Sequence, residues 1–152
     1  MRRLCAMWFG AYTAMACWSS ISAGAAAAEL PPDRVLVMYF HRTECCSKGR
    51  MLESLIKEAV ARDFANEAKA GKVEFRSIDF EKDERIAEAY KISQPALVVA
   101  EVRGGQVGRY TNFDSFWAKY QDRAFTRDKK VSKEIQQAFA TRFREVVLAY
   151  LK

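Results

Sequence analysis

The feature that most limits the fold of this chain is an unbroken apolar run over residues 35–40, followed by a polar segment over 41–49. A strand with one exposed face alternates apolar and polar residues, whereas a strand covered on both faces is apolar throughout. The run therefore predicts a strand in the middle layer of the fold. Such a strand needs other elements packed on both faces of its sheet.

Residue spacing in the rest of the chain predicts the other elements. They are, in order, a helix over 51–68 ended by Gly71, a strand over 73–80, a short helix over 84–90, a strand over 96–102, a Gly104-Gly105 hairpin with a returning strand over 106–110, a short aromatic helix over 113–120, a charged connection over 121–130 and a long amphipathic helix over 131–151. A strand, a crossover helix and a second strand predict a parallel pair. The hairpin adds an antiparallel edge. We therefore expect an α/β fold, with a mixed four-stranded sheet, helices on both faces and a long C-terminal helix.

The first 28 residues have the composition of an export signal. Arg2 and Arg3 precede an uncharged apolar stretch over 4–18, and small residues over 19–28 end in four alanines. This pattern predicts a secretory signal peptide over 1–28, cleaved after Ala28 or alternatively after Ala25, and a mature domain over 29–152. An uncleaved membrane anchor over 4–28 is the competing interpretation. In both cases the two arginines stay inside, so we expect the domain to be exported to the periplasm.

Length and charge exclude several classes of function. With 152 residues the chain is long enough for one core. The net charge of +6 includes the two signal arginines, and the other basic residues are spread along the sequence without a cluster. Nucleic-acid binding is therefore not expected. No phosphate loop, nucleotide fingerprint or zinc motif is present, so we predict neither a cofactor nor a resident metal.

The cysteines point to thiol chemistry. Cys5 and Cys17 lie in the predicted signal, which leaves Cys45 and Cys46 in the mature domain. Cys46 is followed by the predicted helix. Because the N-terminal end of a helix presents unpaired N–H groups and the positive end of its dipole, a thiol there has a lowered pKa. Nearby basic residues add to this effect and Glu44 opposes it. We therefore predict that Cys46 is a nucleophile.

Three features together resemble the thioredoxin-like superfamily: the strand over 35–40, Cys46 at the following turn, and the segment over 90–97 with Pro95 before the third strand. The resemblance covers about residues 35–110 and, more loosely, the terminal helix. It implies a thioredoxin-like fold, thiol/disulfide partners that are proteins or small molecules, and a cis peptide bond at Pro95, which would face the redox cysteine. The segment 39–41 and the tail over 113–151 resemble small exported bacterial members, some of them named as accessory subunits of a nitroaromatic reductase.

One position departs from the family. The redox motif of the superfamily is Cys-x-x-Cys, and when Cys46 takes the first position Gly49 takes the second. Cys45 is a poor substitute as resolving thiol. Adjacent Cα atoms lie about 3.8 Å apart, below the range of about 4.4–6.8 Å that disulfides favour, so a Cys45–Cys46 disulfide is strained and labile. We therefore predict monothiol exchange through Cys46, with Cys45 and Pro95 completing the site.

Two alternatives stay open from the sequence. The first is a redox-inactive member that keeps the groove beside Pro95 as a binding module for another protein. The second is a soft-metal site formed by Cys45, Cys46 and His41. Adjacent cysteines on an extended segment point in opposite directions, which disfavours chelation. The sequence does not fix the oligomeric state.

Overall fold

The computed structural model describes residues 33–120 and 131–152. The elements are β1 (Arg34–His41), α1 (Ser47–Asp63), α2 (Ala65–Lys69), β2 (Val73–Asp79), α3 (Glu84–Ala89), β3 (Ala96–Arg103), β4 (Gln106–Asn112), α4 (Asp114–Tyr120) and α5 (Lys133–Tyr150). The predicted signal over 1–28, with its cleavage sites, Cys5 and Cys17, and the predicted connection over 121–130 lie outside the described residues.

The four strands form one mixed sheet in the order β2-β1-β3-β4. β1 runs parallel to β2 and antiparallel to β3, and β3 pairs antiparallel with β4. The predicted parallel pair and antiparallel hairpin are therefore confirmed. Gly104 and Gly105 form the hairpin turn with φ angles of 54° and 80°, in the left-handed region that glycine enters without a steric penalty.

The central strand explains the apolar run. Alternate residues of β1 enter two different cores: Val35, Val37 and Tyr39 pack with α1 and α5, while Leu36, Met38 and Phe40 pack with Tyr90 and the α3 side of the sheet. Both sets are buried, with at most 6% of any side chain exposed. Helices thus cover both faces, and the predicted fold class is confirmed, including the long C-terminal helix α5.

The first helix differs from its prediction at both ends. It begins at Ser47, four residues before the predicted start at 51. The prediction began too late because the first turn faces solvent and carries no apolar periodicity. At Phe64 the backbone leaves helical geometry (φ −135°, ψ 28°), which divides the predicted single helix into α1 and α2. The Phe64 side chain is buried and packs edge-on against Phe143, with 6.0 Å between ring centroids.

Aromatic residues join the tail to the main core. Phe113 is buried, and Phe116 and Trp117 pack partly buried against the cluster that includes Phe139. Trp117 stacks on Phe139 with 5.4 Å between ring centroids. These three aromatic residues therefore belong to the main core or pack against it. Ser132 caps the start of α5, and its hydroxyl accepts a hydrogen bond from the Ile135 amide.

Candidate thiol site

Cys46 lies in the connection between β1 and α1. The strand ends at His41, a turn follows, and Cys46 is the N-cap residue of α1. Its carbonyl accepts the first helical hydrogen bond, from the Arg50 amide at 3.1 Å. The Cys46 side chain is exposed. The structure therefore places this thiol in solvent, at the end of the helix where backbone N–H groups have no helical partner.

The surroundings of Cys46 favour its thiolate. The Gly49 N–H is the strongest influence and lowers the pKa of the thiol, opposed by partial burial and assisted by the Lys48 N–H and the Lys48 charge. The net pKa lies below that of an ordinary thiol. The sulfur makes no side-chain capping hydrogen bond, so the amides act on it as oriented dipoles without covering it. An anionic sulfur that stays accessible is the form that reacts as a nucleophile.

Cys45 has the opposite environment. It is half-buried, and burial is the main cause that raises the pKa of its thiol, with the neighbouring Cys46 adding to the shift. Its sulfur lies against Gly49: an ideal Cβ at position 49 would be only 2.5 Å from the Cys45 Sγ. Real Cβ atoms do not come this close to a sulfur, so a side chain at position 49 and the observed Cys45 rotamer exclude each other.

The Tyr39 side chain supports the first turn of α1. Its hydroxyl donates a hydrogen bond to the Gly49 carbonyl at 3.1 Å and would lie 3.2 Å from a Cβ at that position. Burial raises the pKa of Tyr39 strongly, with Cys45, Glu53 and Cys46 contributing further, so the hydroxyl stays protonated and acts as a donor. The sequence identified Tyr39 only as part of an apolar strand. No local pattern pointed to this contact, because it joins residues ten positions apart.

The polar turn before the cysteines is held by side chains from two directions. The Arg50 guanidinium donates from Nη1 to the Cys45 carbonyl at 2.6 Å. On the other side, the Thr43 hydroxyl donates to Asp79 at 2.7 Å and the Thr43 amide donates to Glu81 at 3.0 Å. These contacts fix the backbone that carries both thiols, and no pattern in the sequence indicated them.

Pro95 lies at the same end of the sheet as the cysteines. It is exposed and stands one residue beyond the Phe40–Ala96 pair, next to the end of β1. The expectation of a cis bond was wrong, since all peptide bonds of the described residues are trans. A trans X–Pro bond is the intrinsically favoured form. Pro95 lines a cavity of about 380 Å³ with Tyr39, Leu52 and Trp117, and Cys46 is not among the lining residues.

The soft-metal alternative lacks a ligand set. Within 33–120 and 131–152, no three His, Cys, Asp or Glu side chains come together as metal ligands. His41 Nδ1 instead lies 2.8 Å from the carbonyl oxygen of Arg42, within hydrogen-bond distance. The only histidine of the chain thus has a local partner. Separately, none of the described helices is both long enough and apolar enough to span a membrane.

Three solved structures resemble this chain at low sequence identity. No protein-family model matches the sequence, and no curated protein matches it. Among solved structures, the chain is similar to Fasciola hepatica thioredoxin (17% identity over 77% of this chain and 81% of that one, TM-score 0.42). It is also similar to human ERp44, with 21% identity over 73% of this chain and 27% of that one and a TM-score of 0.41. A third similar structure is the germline thioredoxin Deadhead of Drosophila melanogaster, with 24% identity over 59% of this chain and 78% of that one and a TM-score of 0.38. The function of the chain is inferred from the residues of the site.

Proposed function

We propose that this protein carries out thiol–disulfide exchange through Cys46 in an exported, periplasmic setting. The observation that carries the proposal is the position of Cys46: an exposed thiol with a lowered pKa at the N-cap of α1. The substrates are disulfides and thiols of proteins or small molecules. The family-level name of a nitroaromatic-reductase accessory subunit adds no chemistry to this proposal.

The proposed reaction has two steps. The Cys46 thiolate attacks one sulfur of a substrate disulfide, forms a mixed disulfide with it and releases the other half as a thiolate. An external thiolate then attacks the substrate sulfur of that mixed disulfide and restores the Cys46 thiolate. The protein is unchanged after the cycle, and the substrate half has moved from one thiol to another.

The second step is assigned to an external thiol because residues 33–120 and 131–152 offer no relaxed internal one. Gly49 carries no side chain, and a disulfide between adjacent cysteines stores several kcal/mol of strain. Exchange of a relaxed mixed disulfide for such a product is unfavourable. The lack of a thiol at position 49 therefore supports the proposal, together with the position of Cys46.

Capture of a mixed disulfide tests the proposal. The reduced full chain, with Cys5 and Cys17 replaced by serine throughout, is incubated with a small aromatic disulfide, and the adduct is counted by intact mass and located by peptide mapping. We expect one adduct on Cys46 in Cys45→Ser, formed at least ten times faster than any adduct in Cys46→Ser. Equal rates in the two variants, both as slow as an ordinary free thiol at the same pH, would refute the exchange function.

A second candidate is a redox-inactive binding module, favoured by the cavity beside Pro95. This cavity is lined mainly by apolar groups, including Leu52 and Trp117. In this case a partner protein would remain bound when both cysteines are replaced by serine, and Trp117→Ala would weaken its binding. The exchange function predicts instead that covalent capture disappears with Cys46→Ser and survives Trp117→Ala.

Export is part of the proposal and rests on the sequence of residues 1–28. Expression of the full chain in a bacterium, followed by fractionation and N-terminal sequencing, tests it. We expect periplasmic protein that begins at Glu29. Cytoplasmic protein that retains Met1 would contradict the export proposal and leave the thiol chemistry to be judged by the capture experiment.

A further inference from the structure

We propose that Cys46 is also a site of oxidation by hydroperoxides, and that Cys45 resolves the sulfenic acid formed there into a Cys45–Cys46 disulfide that blocks exchange. The inference rests on the proposed function, since both need a reactive Cys46. It assigns a role to the second thiol, which the exchange cycle does not use.

The geometric basis is the space left by Gly49. In the family that the sequence resembles, position 49 would carry the second thiol of the motif. Here the Cys45 sulfur fills that space, 2.5 Å from where a Cβ would be. The chain therefore has a thiol beside the first turn of α1, but the thiol comes from the residue before Cys46.

Two contacts hold this thiol in place. Arg50 binds the Cys45 carbonyl at 2.6 Å, and the Tyr39 hydroxyl holds the Gly49 carbonyl at 3.1 Å. Cys45 is half-buried while Cys46 is exposed. A dissolved oxidant therefore meets Cys46 first, and Cys45 stays in reserve as a protonated thiol.

The chemistry balances in two steps. The Cys46 thiolate attacks the terminal oxygen of a hydroperoxide, the O–O bond breaks, and Cys46 becomes a sulfenic acid while an alkoxide or hydroxide leaves and takes up a proton. The Cys45 thiol then attacks the Cys46 sulfur. The S–S bond forms as the S–O bond breaks, and the hydroxyl leaves as water with the Cys45 proton. The two thiols lose two electrons and the hydroperoxide gains them.

The strain of a disulfide between Cys45 and Cys46 explains why Cys45 acts in this reaction and not in the exchange cycle. In exchange, resolution by Cys45 would replace a relaxed disulfide by a strained one, so an external thiol completes the cycle. In peroxide oxidation, resolution replaces a reactive S–O bond and releases water, which drives formation of the strained product. A strained disulfide is also more easily reduced. A small thiol therefore returns the protein to its active form, and the oxidation is a reversible switch.

Trapping of the sulfenic acid tests the inference. The reduced full chain, with Cys5 and Cys17 replaced by serine in the wild-type reference and in every variant, is treated with one equivalent of hydrogen peroxide in the presence of dimedone, and its intact mass is measured. We expect wild type to lose two hydrogens, to take up little dimedone, to lose reactivity at Cys46 and to regain it with a small thiol. Cys45→Ser and Cys45→Ala should each take up one dimedone on Cys46 instead.

The variants distinguish the possible failures. Equal dimedone capture in wild type and in both Cys45 variants would overturn the inference, and so would a disulfide between two chains in place of one within the chain. If reduced Cys46 forms no mixed disulfide in the capture experiment, the proposed function itself fails. The double variant Cys45→Ser with Gly49→Cys provides a relaxed motif. We expect its disulfide to resist a thiol concentration that fully reduces the wild-type one.

Discussion

Two anionic groups with opposite surroundings lie near the two ends of strand β1. At the start of the strand, Val35 pairs with Glu101, whose carboxylate accepts hydrogen bonds from Arg103 at 2.9 Å and from Arg109 at 2.8 Å. Beyond the other end, the Cys46 thiolate is favoured only by backbone N–H groups and a nearby lysine charge. One anion is enclosed by partners, and the other is stabilised but uncovered.

The enclosed anion organises the C-terminus of α5. Hydrogen bonds from Arg103 and then Arg109 lower the pKa of Glu101. The same two arginines reach carbonyls in the last turn of the helix: Arg109 donates to Ala149 at 2.9 Å and Arg103 to Tyr150 at 3.4 Å. The last carbonyls of a helix have no partner within it. Glu101 thus orients two arginines that bind the helix end to the hairpin.

The comparison shows what separates a structural charge from a reactive one. Both anions have a lowered pKa, so a pKa shift alone does not identify the site. Glu101 is buried, with 9% of the residue exposed, and both of its oxygens are bonded. Cys46 is exposed and its sulfur makes no capping hydrogen bond. Reactivity follows from the accessible sulfur, and changes at one end of β1 should therefore leave the other end unaffected.

The largest effect on stability is expected from Gly49→Ala. In an ordinary helix this substitution stabilises by about 1 kcal/mol. Here the added methyl group would overlap the Cys45 sulfur, and such overpacking costs about 1–3 kcal/mol. Urea unfolding should therefore show a lower free energy of unfolding for Gly49→Ala.

The matched control for this prediction is the same substitution in a Cys45→Ala background, where the overlap is gone and Gly49→Ala should stabilise. The sign of the effect thus reverses between the two backgrounds. Equal effects in both backgrounds would mean that Cys45 does not occupy the space beside Gly49. The proposed role of Cys45 as a resolving thiol would lose its geometric basis.

A smaller effect is expected from Tyr39→Phe. The substitution removes the hydrogen bond to the Gly49 carbonyl, and one such bond contributes about 0.5–1.5 kcal/mol. Tyr110→Phe is the control, because Tyr110 is exposed at the sheet edge and its ring remains. Unfolding by urea should separate the two variants. If both are as stable as wild type, the Tyr39 hydroxyl does not support the turn.

The scaffold was predictable from the sequence to a much greater extent than the two ends of β1. The apolar run, the strand–helix–strand succession and the hairpin glycines are local patterns, and they predicted the parallel pair, the antiparallel hairpin and the covering helices. The strand order β2-β1-β3-β4 was not predicted. The place of the Cys45 sulfur depends on the path of a polar turn that has no periodicity. The Glu101 pairs were missed for a related reason: a register shift between β3 and β4 near Ala100 and Val102 changes which residues face each other across the hairpin.

At the enclosed end, Glu101→Gln should lower Tm by a few degrees. The substitution removes the charge that holds Arg103 and Arg109 together, so hydrogen exchange in the last turn of α5 should also become faster.

Because the native pKa of Glu101 lies below its ordinary value of 4.5, its stabilising effect is complete above that pH and is lost as the pH falls through the native pKa. Glu88→Gln on the exposed face of α3 is the control. A change in Cys46 alkylation in Glu101→Gln would show that the two ends of β1 are coupled.

The smallest effect on the fold, and the sharpest on the site, concerns the pH dependence of alkylation. Single-cysteine variants isolate each thiol once Cys5 and Cys17 are replaced by serine: in that background Cys45→Ser leaves Cys46, and Cys46→Ser leaves Cys45. Because only the thiolate reacts, each rate rises with pH and levels off above the pKa. The midpoint for Cys46 should lie below the ordinary thiol value of about 8.5, and that for Cys45 above it.

The order of the two midpoints decides between the proposals. A low midpoint and fast alkylation for Cys46 mean that the amides at the start of α1 stabilise an accessible anion, as exchange requires. A midpoint for Cys46 at or above the ordinary value, with slow alkylation, would mean that these dipoles do not activate the thiol. The reactive end of β1 would then differ from the Glu101 end only in exposure, and the cavity beside Pro95 would become the basis of function, as a binding surface.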